Sequence, residues 1–137
     1  MPLLDAAAAA AAIVSLAGIY LLVLGALCLF WPAQATRFLL GLAGSAWAHY
    51  SELLARAAVG AALLLHSPRM LLADVFHAFG WVLLATTAAL LLVPWRWHRR
   101  FAAWAVPQAI RHITVIGLAS LAMGGIMLAA VVRGGVV

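Results

Sequence analysis

The sequence predicts an all-α integral membrane protein: a four-helix bundle with two shorter amphipathic helices that lie along the membrane interface. The first reason is composition. The 137-residue chain is 69% hydrophobic and 8% charged, with a mean hydropathy of +1.18, whereas about a quarter of the residues of a soluble domain are charged. The second reason is that its apolar residues gather in four runs of about 20, the length that crosses a ~30 Å hydrocarbon core. We therefore interpret residues 1–137 as one membrane domain.

Four stretches are predicted to span the membrane: residues 8–30, 47–66, 71–93 and 113–132. The first apolar run follows Asp5 and is longer than the roughly 7–15 apolar residues of a signal peptide, so we expect it to remain as a span. The second and third spans are joined by His-Ser-Pro-Arg-Met, in which Pro68 breaks the helix and produces an antiparallel hairpin. A single cysteine, Cys28, excludes an internal disulfide framework.

The other two links, residues 33–46 and 94–110, are predicted to form interfacial elbow helices. In each link, apolar or aromatic residues recur at helical spacing, and the arginines lie off that stripe. This pattern is typical of a helix that lies in the plane of the membrane surface. The predicted interfacial anchors are Arg37, Trp95, Arg96, Trp97, Arg99, Arg100, Trp104 and Arg111.

The distribution of arginines predicts the orientation of the chain. Five arginines lie on the elbow side, whereas Arg69 and Arg133 lie on the other side together with Asp5 and Asp74. Because cytoplasmic loops carry the excess of basic residues, the elbows are predicted to be cytoplasmic and both termini periplasmic.

The two halves of the chain also align with each other. At one constant shift, Arg37-Phe38 overlays Arg100-Phe101, and His49 overlays His112. This alignment predicts two parallel two-span repeats related by an axis along the membrane normal. The alternative is that any two hairpins with elbows share these features.

Small residues line one face of the first span and one face of the fourth. In lipid, such stripes let helix backbones approach closely. The residues predicted to pack in this way are Gly18, Gly25, Gly117, Ser120 and Gly124. The contact lies either within one chain or between copies, and the sequence leaves both alternatives open.

Three ionisable residues, His49, Glu52 and Arg56, share one face of the second span. Glu52 precedes Arg56 by one turn, the favourable order for an ion pair. Such a pair offsets much of the ~2.5–3.5 kcal/mol cost of an arginine at the membrane midplane. One interpretation is a site for an anionic ligand, a lipid headgroup or a proton. The other is a structural clamp whose partners are hydroxyl groups of neighbouring spans: Ser15, Thr86 or Thr87.

A second group, His66, Asp74 and His77, surrounds the predicted hairpin. Two histidines and a carboxylate are the minimum set for zinc, iron, copper or manganese. The alternative is that Asp74 caps the third span. A single haem between His49 and His112 is a further alternative, and no cofactor is assigned from the sequence.

The segments LFWPAQATRFLLGLAGSAWAHYSELLARAAVG and PWRWHRRFAAWAVPQAIRHITVIGLASLAMGG resemble those of small bacterial inner-membrane proteins with four helices and a domain of unknown function. The resemblance covers most of the chain. It implies a location in the bacterial cytoplasmic membrane and brings no activity with it.

The sequence contains no HExxH, CxxC or phosphate-loop motif and no nucleophile–base constellation, so the interpretation leans away from an enzyme. We expect a non-enzymatic accessory, scaffold or assembly protein that contacts the lipid bilayer and associates with itself or a partner membrane protein. The alternatives are a small transporter or ligand-binding protein that uses His49, Glu52 and Arg56, and a metal- or haem-binding protein. Nucleic acid is not expected as a partner, because the positive-inside rule accounts for the few arginines.

Overall fold

The computed structural model describes residues 2–134, and every regular element in that range is helical. The all-α prediction is therefore confirmed. A 3₁₀ turn, Ser67–Arg69, joins the third α-helix to the fourth. Met1 and residues 135–137 lie outside the described residues. These are the terminal residues that the sequence predicts to be periplasmic. The six α-helices are α1 (Pro2–Phe30), α2 (Pro32–Ala43), α3 (Ala46–His66), α4 (Ala73–Leu92), α5 (Trp95–Arg111) and α6 (Ile113–Gly134).

Prolines and a serine determine where the shorter helices begin and end. Pro32 is the first residue of α2, a position at which its missing N–H costs no hydrogen bond. Pro94 takes the N-cap position of α5, one residue before the helix starts. Ser45 caps α3, because its side-chain oxygen accepts a hydrogen bond from the Ala48 N–H at 3.1 Å. These residues separate the short helices from the long ones.

The turn before α4 contains an unusual backbone conformation. Leu72 has φ 58° and ψ 41°, the left-handed region that L-residues adopt at a cost of about 1–2 kcal/mol. The neighbouring Leu71 N–H donates to the carbonyl oxygen of Ala130 at 3.2 Å. This bond ties the turn between α3 and α4 to α6.

Glycines allow α1 and α6 to pack backbone against backbone. A Cβ atom on Gly124 would lie 2.7 Å from the carbonyl oxygen of Gly18, and one on Gly25 would lie 2.8 Å from that of Gly117. Either distance is too short for a side chain, so the approach requires glycine. Ser120 lies half-buried between the two α6 glycines. The close contact made by these small residues thus lies within one chain.

A similar contact joins α3 to α4. A Cβ atom on Gly60 would lie 3.3 Å from the carbonyl oxygen of Gly80, and one on Gly80 would lie 3.1 Å from that of Gly60. Helix α3 also packs against α1, and α2 packs against α5. The two short helices therefore meet at the same end of the molecule.

The apolar core lies toward the opposite end, close to the turn between α3 and α4. These side chains come from α1, α3, α4 and α6 and from the turn, so the core joins all four long helices. By contrast, the buried polar residues His49 and Thr87 lie in the half nearer α2 and α5. The core residues are Ala10, Val14, Ala62, Leu63, Met70, Phe76, Met127 and Ala130.

Three helical segments are long and apolar enough to cross a membrane, which indicates a membrane protein. These segments are Asp5–Phe30, Ala73–Leu92 and Ile113–Gly134. Over the 18 most apolar consecutive residues of each, the mean hydropathy is 2.6, 1.9 and 2.3, respectively. Large apolar side chains on all three are exposed, as expected for surfaces that face lipid. Helix α3 has 21 residues, but its ionisable side chains lower its hydropathy, and it is not among the three.

Candidate functional site

The half-buried side chain of Arg56 is held by two threonines on the neighbouring helix. Its Nε donates to Thr87 Oγ1 at 3.2 Å, and its Nη2 donates to Thr86 Oγ1 at 2.6 Å. Each threonine hydroxyl donates its own proton to a carbonyl one turn earlier in α4, at 2.6 Å for Thr87 and 2.8 Å for Thr86. The hydroxyl lone pairs are therefore available to the guanidinium, and the network ties α3 to α4 at this level.

Glu52 is not among the hydrogen-bonding partners of Arg56, contrary to the ion pair expected from their spacing. The long arginine side chain reaches hydroxyls on α4 instead. Glu52 follows His49 by about one turn of α3 and is half-buried. The three residues of the predicted cluster therefore do not form one bonded network.

His49 is almost completely buried, with 1% of its surface exposed, and its ring contacts that of a histidine outside the candidates predicted from the sequence. Its ring centroid lies 3.8 Å from that of His98 on α5 and 5.2 Å from that of Trp95. The Nδ1 atoms of both histidines are buried and have no hydrogen-bond partner within residues 2–134. This ring contact, with the two planes tilted by 37°, joins α3 to α5 and leaves the two Nδ1 atoms without a hydrogen bond in the described part of the chain.

His112, the other histidine considered as a partner of His49, is engaged elsewhere. It is exposed, and its Nδ1 lies 3.0 Å from the carbonyl oxygen of Gln108 in the preceding turn. A haem iron bound by two histidines must lie between their rings. The ring that contacts His49 is that of His98, and no contact between His49 and His112 is observed within residues 2–134.

His77 makes two hydrogen bonds near the turn between α3 and α4. The indole N–H of Trp81 donates to His77 Nε2 at 3.2 Å. A neutral His77 must then carry its proton on Nδ1, which donates to Ser67 Oγ at 3.3 Å. His77 therefore does not act as a base toward Ser67, and the pair lacks the arrangement of a nucleophilic serine.

Within residues 2–134, no three side chains of histidine, cysteine, aspartate or glutamate are grouped closely enough to hold a metal ion. The proposed ligands His66, Asp74 and His77 are therefore not assembled as a set. His66 is buried and its Nδ1 has no partner. It lines an open cleft of about 610 Å³ together with Arg69 and Met70, whereas Asp74 and His77 are exposed and do not line it.

The helices α2 and α5 present the arginines that the sequence predicts as anchors. Helix α5 buries Ala102 and leaves three of its four aromatic residues, Trp97, Phe101 and Trp104, exposed. An open cleft of about 260 Å³ lies between the two helices. All five arginines of this end, the arginine surface, are exposed: Arg37, Arg96, Arg99, Arg100 and Arg111.

Comparisons of the chain with protein-family models, with curated proteins and with solved structures find no match. The resemblance to small bacterial inner-membrane proteins thus stays a prediction. The function must be inferred from the contacts described above.

Proposed function

We propose that the chain is a four-span membrane protein of the bacterial cytoplasmic membrane with a non-enzymatic role, as an accessory, scaffold or assembly component. The observation that carries this proposal is the bonding of Arg56 to Thr86 and Thr87. An arginine within a membrane usually marks a ligand or ion pathway. Here its hydrogen bonds go to a neighbouring helix, which supports a role in joining helices.

The same bonds support α3 as the fourth span. Its 21 residues cover about 30 Å at ~1.5 Å per residue, the thickness of a hydrocarbon core. The Gly60–Gly80 approach and the two hydrogen bonds from Arg56 attach it along α4, which is apolar enough to span. These contacts offset part of the ~2.5–3.5 kcal/mol cost of placing an arginine at this depth.

The packing pattern also supports two parallel repeats, α1–α2–α3 and α4–α5–α6. Exchanging the two halves converts the α1–α6 contact into the α4–α3 contact, and both contacts are centred on glycines. The same exchange swaps α2 with α5, which pack against each other. A two-fold axis along the membrane normal produces these relations, and it places α2 and α5 as interfacial elbows on one side.

The proposed role leaves two kinds of surface for a partner. The glycine faces of α1 and α6 are used within the chain, so self-association or partner binding must use another surface. The arginine surface, which we assign to the cytoplasmic side, and the exposed apolar faces of the spans remain available.

A transporter or ligand-binding protein is the second candidate, and one observation favours it. Glu52 is not bonded to Arg56, and the neighbouring His49 has a buried ring nitrogen without a partner. A carboxylate and an imidazole in the membrane interior are groups that bind protons or small cations. Under this hypothesis the working residues are Glu52 and His49, with Arg56 as a structural neighbour.

Native mass spectrometry after mild extraction separates the two candidates. The accessory role predicts whole multiples of the 14.4 kDa chain, alone or with a second membrane protein, and Glu52→Gln should leave these masses unchanged. A small ligand mass that is present on the wild type, lost in Glu52→Gln and retained in Ser51→Ala would contradict the accessory role and support the second candidate. Ser51 is the control because it lies on the same helix and is exposed.

A further inference from the structure

The cleft between α2 and α5 combines apolar walls with one cation. Leu40 of α2 forms one wall, and Arg99 of α5 forms part of the other. Its volume of about 260 Å³ is below the ~300–1,000 Å³ of pockets that enclose a drug-sized ligand. The cleft is therefore suited to part of an elongated apolar molecule. The remaining lining residues are Ala102, Ala103, Val106 and Pro107.

The charged side chains of the two helices that form this cleft are all positive. The segments Pro32–Ala43 and Trp95–Arg111 contain the arginine surface and no aspartate or glutamate. Arg99 and Arg100 follow Arg96 by three and four residues, so each neighbours Arg96 on the helix surface. Asp5 and Asp74, the exposed carboxylates, lie at the other end of the long helices. Glu52 of α3, the third carboxylate, is half-buried near this end, and one carboxylate against the five arginines leaves a net positive charge that attracts anions.

We infer that the cleft binds an anionic phospholipid of the cytoplasmic leaflet. The phosphate is bound by Arg99, with Arg96 and Arg100 beside it, and the upper part of one acyl chain lies against Leu40 and Val106. Arginine suits this role because its planar guanidinium binds phosphate oxygens in pairs. Basic segments at the cytoplasmic surface gain about 1 kcal/mol per arginine from anionic lipid, and a zwitterionic headgroup offers no such net charge.

The aromatic residues beside the arginines support a lipid rather than a soluble anion. Trp97, Phe101 and Trp104 are at least 60% exposed, and tryptophan is enriched at the headgroup level of membranes. A free phosphate would need only the arginines, whereas a lipid also uses the apolar wall and the flanking rings. The inference depends on the interfacial placement of α2 and α5 proposed above.

The test is native mass spectrometry of the full chain in detergent, titrated separately with phosphatidylglycerol, phosphatidylcholine of the same acyl chains, and inorganic phosphate. Phosphatidylglycerol should bind tightest. Arg99→Gln should weaken its binding about fivefold, the equivalent of ~1 kcal/mol, whereas Arg133→Gln, an exposed arginine at the other end, should not. Leu40→Trp, which fills the cleft without changing charge, should weaken binding as well.

Equal binding of phosphatidylcholine and phosphatidylglycerol, or unchanged binding in Arg99→Gln, would overturn the site. Binding of inorganic phosphate as tight as that of phosphatidylglycerol would overturn the lipid assignment, because the cleft would then bind a soluble anion. The wild-type chain provides a test that needs no variant: phosphatidylglycerol with a photoreactive acyl chain should label residues 32–43 and 95–111. Equal labelling of these helices by phosphatidylcholine with the same photoreactive chain would show that the site does not select anionic lipid, but would agree with an interfacial placement of α2 and α5. Absence of labelling on either helix would overturn both.

Discussion

The hydrogen bonds of Arg56 predict a measurable coupling between α3 and α4. Thr87→Val preserves the shape of a side chain that is 3% exposed and removes the hydroxyl that accepts from Arg56 Nε at 3.2 Å. Hydrogen bonds between helices in membranes average about 0.6 kcal/mol and reach about 1.7, and bonds to charged groups are the stronger ones. We expect Thr87→Val to lower the free energy of unfolding by about 1–1.5 kcal/mol.

A double-mutant cycle isolates this contribution. Arg56→Met removes the donor and also the cost of a charge in the membrane, so its own effect is a balance of two terms. In the Arg56→Met background the Thr87 hydroxyl has lost its interhelical donor. Thr87→Val should then cost about 0.3 kcal/mol or less, a difference that measures the coupling. Thr114→Val, a change at an exposed threonine of α6, is the matched control.

The assay is reversible unfolding in mixed micelles with a rising fraction of sodium dodecyl sulfate, followed by far-UV circular dichroism. The cycle needs four proteins: wild type, both single variants and the double variant. If Thr87→Val lowers the free energy of unfolding equally with Arg56 and with Met at position 56, the bond does not join the helices. A loss in Thr114→Val as large as that in Thr87→Val would also refute the reasoning.

Three further predictions use the same unfolding assay. Gly124→Ala places a Cβ 2.7 Å from an α1 carbonyl oxygen and should lower the free energy of unfolding by about 1–3 kcal/mol. Its control, Gly125→Ala, meets nothing within 4 Å and should raise the free energy of unfolding by up to ~1 kcal/mol. Equal effects would argue against the α1–α6 contact. Leu72→Gly should raise the free energy of unfolding by about 0.5–1 kcal/mol, because glycine adopts the left-handed backbone without strain. Leu71→Gly is the control, and an equal loss of stability in both variants would contradict the prediction. His49→Phe keeps a ring in contact with His98 and removes a nitrogen that has no partner within residues 2–134, so it should raise the free energy of unfolding by up to ~1 kcal/mol. A marked loss would mean that the nitrogen is used.

The helix pattern follows from signals that a sequence carries locally. The predicted ranges 47–66 and 113–132 correspond to α3 and α6 within two residues at either end, because apolar runs and capping residues determine helix limits directly. Pro32 and Pro94 likewise mark the beginning of α2 and α5. These features depend on neighbouring residues only, so a single sequence is sufficient to predict them.

The contacts of the polar residues depend on information that one sequence does not hold. The spacing of Glu52 and Arg56 predicts an ion pair, but the choice between Glu52 and the α4 threonines depends on how α3 and α4 are aligned. His98 was missed for the same reason, because its ring contact with His49 depends on how the start of α5 lies against the start of α3. The signal that was present is the position of His98 three residues after Trp95, in a segment already selected for its arginines.

The central claim is that α3 crosses the membrane with its arginine bonded to α4. Sided cysteine labelling tests it most directly. In a Cys28→Ser background, Gly41→Cys lies before α3, at a position where a side chain meets nothing within 4 Å, and Arg69→Cys lies after α3 at an exposed position. A membrane-impermeant maleimide added to spheroplasts should label Arg69→Cys at once and Gly41→Cys only after permeabilisation. Labelling of both from the same side would mean that α3 does not cross the membrane.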